Sequence, residues 1–222
     1  MSRTLFVIPQ TLEFVDAAVA TADATNLLNN EPGLVFRSMG LSNVYTIFET
    51  TAPYDVIALV GTNLAGSDTI RIRASNVEAN LTTSPTLDVV VNIASGLPKK
   101  EGSLFYHKLA EPVSYTYVRI DYLAATVDCY VQASRLVIGE AVSADGLDTG
   151  VEITYDNTSR TYLRPVRTLP TWKMVVSGLT EDQYWGIWHE VLNDLGQYQA
   201  FLLIPDTGSN HLQRQSMFCR FV

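Results

Sequence analysis

The chain has 222 residues, of which 47% are hydrophobic and 17% are charged. This length suits one large domain or two small ones, each with a hydrophobic core. The formal net charge is −8 at pH 7, and this acidic balance argues against nucleic-acid binding as the main function. The charged fraction is lower than in an average globular chain, which favours a protein that buries part of its surface against other proteins.

The N-terminal segment predicts a short strand over residues 4–8, ended by Pro9. Its apolar run, residues 5–8, is too short for a signal peptide, and no apolar run of the chain is long enough to span a bilayer. We therefore expect a protein that is made in a reducing cytoplasm and does not insert into a membrane.

The next segments alternate between loops and strands. Residues 17–30 are small and polar, which predicts a loop with at most a helical turn, and strand patterns follow at 34–37 and 44–49. Residues 54–61 are almost wholly apolar and rich in valine and isoleucine, which predicts a strand buried on both faces. Residues 69–75 alternate isoleucine with arginine, the pattern of a strand with one face in water.

Further strand patterns complete an N-terminal domain. Residues 87–93, 115–123 and 127–138 follow at short intervals, separated by turns and by a glycine- and lysine-containing loop over 94–103. About seven short strands at this spacing, with no helical period, indicate an antiparallel sandwich or barrel. We assign residues 1–140 to this β-sandwich and residues 141–150 to a polar, glycine-containing linker.

Residues 151–222 predict a small α+β domain of the order β-β-β-α-β-β, with one helix on a sheet. Thr180 and Gln183 form the pattern of a capping box, so the helix begins there, and Gly196 ends it. Apolar residues follow the capping box at helical spacing and predict the buried face of the helix. These residues are Tyr184, Ile187, Trp188, Val191, Leu192 and Leu195.

The two cysteines lie far apart in the sequence, at Cys129 and Cys219. Both occur in apolar, strand-like contexts, and we expect buried free thiols, although a disulfide between them stays open. The chain has no CxxC motif and no Cys/His cluster. No metal site or cofactor is therefore predicted from the cysteines.

No motif predicts catalysis. The histidines at 107, 189 and 211 occur singly, and the GxSxG motif of serine hydrolases is absent. Glu181 and Asp182 are explained as first-turn acids at the helix N-terminus. Asp145 and Asp148 flank a loop glycine and leave a calcium site open as an alternative to a plain loop. We predict a protein that is not an enzyme, with no catalytic, cofactor-binding or metal-binding residue assigned.

Tyrosines are concentrated in the later half of the predicted sandwich, which leaves carbohydrate binding open. Their amphipathic rings can stack on sugars or on partner proteins, but they also fill the rims of β cores. The residues are Tyr106, Tyr115, Tyr117, Tyr122 and Tyr130, with His107 beside the first. Trp172, Trp185 and Trp188 are expected in the contact between helix and sheet or between subunits.

Several short motifs resemble a known family. Residues 60–64 (Val-Gly-Thr-Asn-Leu), followed by the alternating arginine/isoleucine strand, resemble galactose-binding-like (discoidin-type) β-sandwiches. Residues 134–139 (Ser-Arg-Leu-Val-Ile-Gly) are similar to the late strand that closes this module in a set of bacteriophage tail-associated proteins. Residues 160–162 and 201–206 resemble the C-terminal part of the same proteins.

This resemblance implies a jelly-roll-like sandwich in a non-enzymatic virion structural protein of the tail tip or baseplate. Such a protein would assemble as a homo-oligomeric ring and bind other tail proteins. Two alternatives stay open: a carbohydrate-binding adhesin module for host-surface glycans, and a head decoration or connector protein. The motifs match no sugar-binding residues one by one, so the resemblance assigns none.

Overall fold

The computed structural model describes residues 4–31, 33–64, 66, 68–93, 103–124, 129–144, 152–155, 170–173, 179–196, 198–209 and 212–221. The strands are β1 (Thr4–Val7), β2 (Leu12–Ala17), β3 (Ala20–Ala22), β4 (Phe36–Ser38), β5 (Val44–Thr50), β6 (Tyr54–Thr62), β7 (Thr69–Ser75), β8 (Leu87–Asn92), β9 (Ser103–Val113), β10 (Tyr117–Leu123), β11 (Gln132–Ala133), β12 (Arg135–Gly139), β13 (Ala141–Ala144), β14 (Glu152–Tyr155), β15 (Pro170–Lys173), β16 (Phe201–Ile204) and β17 (Met217–Cys219).

The helices are fewer and mostly short. A 3₁₀ helix spans Ala24–Leu28, α1 spans Asn80–Thr83 and α3 spans Leu212–Gln215. The longest, α2, runs continuously through Glu181–Gln183, a π-helical turn at Tyr184–Trp188, and His189–Leu195. Within the described residues the protein is therefore mainly β, as the sequence predicts.

Two antiparallel sheets form the predicted sandwich. A five-stranded sheet of order β2-β5-β10-β7-β8 faces a three-stranded sheet of order β12-β6-β9. Alternate residues of β10 point into the core between them, and the tyrosine among them, Tyr122, is only 1% exposed. Arg119 and Asp121 lie on the opposite, outer face, as the alternation predicts. A small sheet of order β11-β4-β3 closes one side.

Strand β6 is buried on both faces because it belongs to two cores. Ile57 and Leu59 point into the core of the sandwich, whereas Val56 and Ala58 point away from it into a second core. All four are 0% exposed. This explains why apolar residues occupy both parities of the strand, with Asp55 as a charged exception. The predicted burial on both faces is confirmed for residues 54–59, whereas Val60 and Gly61 are half-buried.

A third sheet, of order β13-β1-β16-β17, covers the outer side of β6. It pairs Phe6 of β1 with Leu203 of β16 and with Val142 of β13. Residues from both sides of the predicted boundary thus share one sheet. The predicted linker is a strand over Ala141–Ala144, where the Ala141 N–H donates to the buried carboxylate of Asp55, 2.7 Å away. The division into two domains stays a prediction. Any such division has to allow for a sheet in which β1 and β13 pair with each other and β1 pairs with β16.

Helix α2 packs on the far face of the third sheet. Both hydrogen bonds of the predicted capping box are present: the Gln183 N–H donates to the Thr180 hydroxyl, and the Thr180 N–H donates to the Gln183 side chain. The helix ends at Gly196, which has a φ of +48°. Both predictions are confirmed.

The predicted buried face of α2 is only half right. Trp188, Val191 and Leu195 are buried, and Trp188 packs edge-on against Phe6 with ring centroids 5.3 Å apart. The other three predicted core residues are exposed, because a single helix on a sheet buries one stripe of side chains and not its flanks. These three are Tyr184, Ile187 and Leu192.

Other predictions have mixed outcomes. Both cysteines are free, but Cys129 is exposed, so the expectation of a buried thiol is wrong for that residue. Residues 24–28 form the predicted helical turn, capped by Asp23, whose carboxylate accepts from the Thr25 N–H at 2.8 Å. The sequence also predicts an extended segment over residues 162–168, as the second strand of the C-terminal domain, and this segment lies outside the described residues.

Candidate functional site

A surface cleft opens at the end of the sandwich where β2 finishes and β5 begins. Its volume is about 410 Å³, within the range of about 300–1,000 Å³ typical of small-molecule sites. We call it the β2–β5 cleft. The β2–β3 connection, the β4–β5 connection and the first residues of β5 line it: Ala17, Ala18, Val19, Met39, Gly40, Ser42, Asn43, Val44 and Tyr45.

Backbone hydrogen bonds hold the two connections together. The Ala18 N–H donates to the Tyr45 carbonyl at 2.9 Å, and the Met39 N–H donates to the Val19 carbonyl at 3.2 Å. The register of β2 on β5 shifts between Phe14 and Asp16. A bulge of this kind bends the strand and redirects its side chains, and here it precedes the wall of the cleft.

The lining of the β2–β5 cleft is amphipathic. Val19 is 73% exposed and Met39 is 64% exposed, so two apolar side chains face solvent at its mouth. The exposed polar residues Ser42 and Asn43 lie at the same cleft. Asn43 has a φ of +54°, a conformation that asparagine tolerates better than most residues. Apolar contact and hydrogen-bonding groups therefore meet within one small site.

Tyr45 connects the cleft to a charged network on the outer face of the five-stranded sheet. Its hydroxyl donates to Asp16 Oδ2 at 2.8 Å, and the Arg119 guanidinium lies 3.9 Å from its ring centroid. The hydrogen bond to Asp16, with a smaller effect of burial, raises the pKa of Tyr45 above its usual value. The side chain is thus fixed in place and stays protonated at neutral pH.

The network continues across the sheet to a buried ion pair. Arg119 Nε donates to Asp121 Oδ1 at 2.9 Å, and Arg73 makes two hydrogen bonds to the same carboxylate, at 2.8 and 2.7 Å. The Arg73 and Asp121 side chains are 9% and 12% exposed. Arg73 and Arg119 share the single carboxylate of Asp121, and Asp16 adds a second carboxylate beside Tyr45. The two arginines and the two aspartates of this network therefore balance in charge.

The tyrosines that the sequence predicts as a possible sugar-binding cluster do not come together. Tyr122 lies in the core, with its hydroxyl 3.2 Å from that of Thr46. Tyr106 packs against the second core, and Tyr130 lies under the Arg37 guanidinium. Alternation along β10 separates Tyr117 from Tyr122, because neighbouring strand residues of opposite parity face opposite sides of the sheet. The tyrosine that lines the cleft is instead Tyr45, and no motif in the sequence predicts a role for it.

The remaining predicted site residues are dispersed. His107 is half-buried on β9, and burial lowers its pKa. His189 lies on α2, with Asn193 Nδ2 3.0 Å from its Nδ1. Asp145, Asp148 and His211 lie outside the described residues. In the part of the chain that the structure describes, no group of His, Cys, Asp and Glu is suited to hold a metal ion. No helix in that part has the length and apolarity needed to cross a membrane.

Comparison with protein-family models and with curated proteins found no match. CBM32-3 from a family 31 glycoside hydrolase of Clostridium perfringens is similar in structure, with a TM-score of 0.43 and 17% identity over 58% of this chain and 90% of that chain. The family 32 carbohydrate-binding module of C. perfringens NanJ, in complex with galactose, has a TM-score of 0.42 and 13% identity over 60% and 98%. Reduced XRCC1 bound to the DNA pol beta catalytic domain has a TM-score of 0.41 and 11% identity over 61% and 98%. These are similarities of fold, and the ligands and partners named are those of the other proteins.

Proposed function

We propose that the protein is a non-catalytic carbohydrate-binding module and that the β2–β5 cleft is its binding site. The observation that carries this proposal is the amphipathic lining of the cleft. The exposed side chains of Val19 and Met39 lie beside the polar side chains of Ser42 and Asn43.

A sugar ring presents the complementary chemistry. Its C–H groups form an apolar patch that can pack on Val19 and Met39, and its hydroxyls can both donate and accept hydrogen bonds. Ser42 supplies a hydroxyl, and Asn43 supplies an amide that donates and accepts. The cleft is large enough for a small ligand, and its mouth is open at the exposed ends of Val19 and Met39.

The charges around the cleft favour a neutral glycan over an acidic one. Asp16 is exposed beside Tyr45, and Arg119 already donates to Asp121. Because the two arginines and two aspartates of the network balance in charge, the site has no excess positive charge to attract an acidic sugar, and the exposed carboxylate of Asp16 would repel one at close range. We therefore infer that the ligand is an uncharged saccharide.

The test is a glycan array that includes neutral and acidic saccharides, followed by calorimetric titration of the best ligand. Met39→Lys places a long charged side chain in the cleft and should weaken binding at least about tenfold. Asn43→Gly removes the amide but keeps the positive φ accessible, and it should also weaken binding.

Val90→Lys is the matched control. Val90 is 56% exposed on β8, the edge strand opposite β2 in the same sheet, so this change should leave binding unaltered. An array without any saccharide binding would contradict the proposal. Binding that Met39→Lys leaves unchanged would place the site elsewhere.

A second candidate is a structural component of a bacteriophage virion, located in the tail. It rests on the resemblance of residues 134–139 and 201–206 to tail-associated proteins. Val137 of the first segment and Leu202 and Ile204 of the second share a core, so the two segments that carry the resemblance form one packed unit. Antibody labelling of purified particles in the electron microscope tests it. Label at the tail would support this candidate, and label on the head would favour a decoration or connector protein.

A further inference from the structure

Exposed apolar side chains are concentrated on α2 and the residues that follow it. The structure contains twelve large hydrophobic side chains that are exposed among the described residues, and five of them fall within residues 184–198. A contiguous exposed apolar surface on a folded protein indicates an interaction site more often than chance. The five are Tyr184, Trp185, Ile187, Leu192 and Tyr198.

Three rings on α2 contact one another and form a continuous surface. Trp185 lies 5.1 Å from the ring of Tyr184 and 5.1 Å from that of His189. Leu192 follows His189 by three residues, which places it on the same side of the helix. We call Tyr184, Trp185, His189 and Leu192 the aromatic flank.

The aromatic flank includes a π-helical turn. The turn spans Tyr184–Trp188, and such turns are rare and occur frequently at functional sites. Within the turn, Trp188 is buried in the core under the helix, whereas Trp185 is 57% exposed. Trp185 therefore presents more than half of its surface to solvent.

The helix that carries the aromatic flank is acidic, and its described residues 179–196 include no lysine or arginine. Glu181, Asp182, Glu190 and Asp194 lie on the same helix. Residues 174–213 contain no lysine or arginine. An apolar centre with a polar rim is the usual anatomy of a protein interface, and α2 contributes charges of a single sign to this rim.

We propose that the aromatic flank binds another protein through an apolar surface bordered by lysine or arginine side chains. Aromatic anchors such as Trp185 supply most of the energy of such interfaces, and the acidic rim selects a basic partner and speeds its association. The inference does not rest on either proposed function, because it concerns a different face of the molecule.

The charges and ring geometry decide against other occupants. A second copy carries the same acidic rim and a net charge of −8, so face-to-face self-association brings like charges together. An anionic membrane surface would repel the rim for the same reason. A sugar stacks on a flat aromatic platform, whereas the rings of Tyr184 and Trp185 are inclined by 81°.

The test uses a fluorescently labelled amphipathic helical peptide built of leucine and lysine, with a peptide built of leucine and glutamate for comparison. Fluorescence anisotropy should show binding of the lysine peptide alone. Its dissociation constant should rise at least about tenfold between about 0.05 M and about 0.5 M salt. The double substitution Trp185→Ser and Leu192→Ser, which leaves the net charge unchanged, should weaken binding at least about tenfold.

The matched control replaces two exposed apolar residues of the sandwich, Val90→Ser and Leu123→Ser, which should leave peptide binding unaltered. Circular dichroism of each variant checks that the fold is retained. Equal binding of both peptides, or binding that the flank substitutions do not weaken, would overturn the proposal. Sedimentation velocity would also overturn it by showing a dimer that Trp185→Ser abolishes, because the occupant would then be a second copy.

Discussion

The sandwich and the helical layer bury their side chains in different ways. In the sandwich two sheets face each other, so alternate residues of every strand enter a shared core, as Ile72 and Ile120 do on neighbouring strands. In the helical layer a single helix lies on a sheet, and only the stripe of Trp188, Val191 and Leu195 is buried. A helix so placed leaves its flanks exposed, which makes that layer the more available for contacts with partners.

The first prediction tests this comparison by removing a large buried side chain from the sheet beneath the helix. Phe6 is 0% exposed and contacts the rings of Trp188 and Phe201. We expect Phe6→Ala to lower the free energy of unfolding by about 3–5 kcal/mol, because it removes buried area and leaves a cavity. Urea unfolding followed by circular dichroism measures this loss.

Tryptophan fluorescence shows which layer is affected. All three tryptophans, Trp172, Trp185 and Trp188, lie in the C-terminal part of the sequence. In Phe6→Ala the fluorescence transition should occur at lower urea than the circular dichroism transition. Phe14→Ala is the control, since Phe14 is 40% exposed and its loss should cost less than about 1 kcal/mol. Coincident transitions in Phe6→Ala would show that the layers unfold as one unit.

The second prediction concerns the place where the chain passes from the third sheet to the sandwich. Gly139 lies at the end of β12, and a Cβ atom there would collide with the backbone carbonyl of Ile8. The Gln10 N–H donates to the Ile138 carbonyl at 2.9 Å, so the two segments cannot separate without losing a hydrogen bond. We expect Gly139→Ala to cost about 1–3 kcal/mol. An unchanged urea midpoint would contradict this close approach.

The sequence was sufficient to predict features whose causes are local. Residues 54–61 are apolar at both parities, and this predicts a strand that is buried on both faces. The capping box at Thr180 and Gln183 and the end of the helix at Gly196 depend on neighbouring residues alone. The capping box and the helix end need no distant part of the chain, whereas the composition of residues 54–61 predicts burial on both faces without showing which distant strands provide it.

Features that depend on distant pairing could not be predicted in this way. Strand β1 pairs with β16, which lies almost the whole length of the sequence away. Neither strand has a sequence pattern that identifies the other as its partner. The contact of Tyr45 with Asp16 requires the register of β2 on β5 and the shift before Asp16. The apolar spacing on α2 predicts that Leu192 packs against other residues, but it cannot distinguish packing within the protein from packing against a partner protein.

The third prediction separates two roles of glycine in the two regions. Gly139 is needed for space, whereas Gly196 has open space around its Cβ position but a φ of +48°. A β-branched residue is strained at positive φ, so Gly196→Val should cost about 1–2 kcal/mol through the end of α2. Thermal unfolding followed at helical wavelengths checks this. Gly196→Asn, which tolerates positive φ, should recover most of the loss, and equal losses for both variants would argue against backbone strain.

The prediction with the smallest expected effect compares the thiol reactivity of one cysteine in each region. Cys129 is exposed near the end of the sandwich, whereas Cys219 lies in β17 opposite Phe201, where burial raises the pKa of its thiol to about 12. Since the thiolate is the reactive form, Ellman's reagent at pH 8 should modify one thiol quickly and the other only after unfolding. Cys129→Ser isolates the slow thiol, whose rate should rise about tenfold for each pH unit up to pH 10 because its pKa lies above that range. Two thiols that react equally fast would mean that β17 does not stay paired with β16. The edge of the sheet under the helix would then open to solvent more readily than the edge of the sandwich.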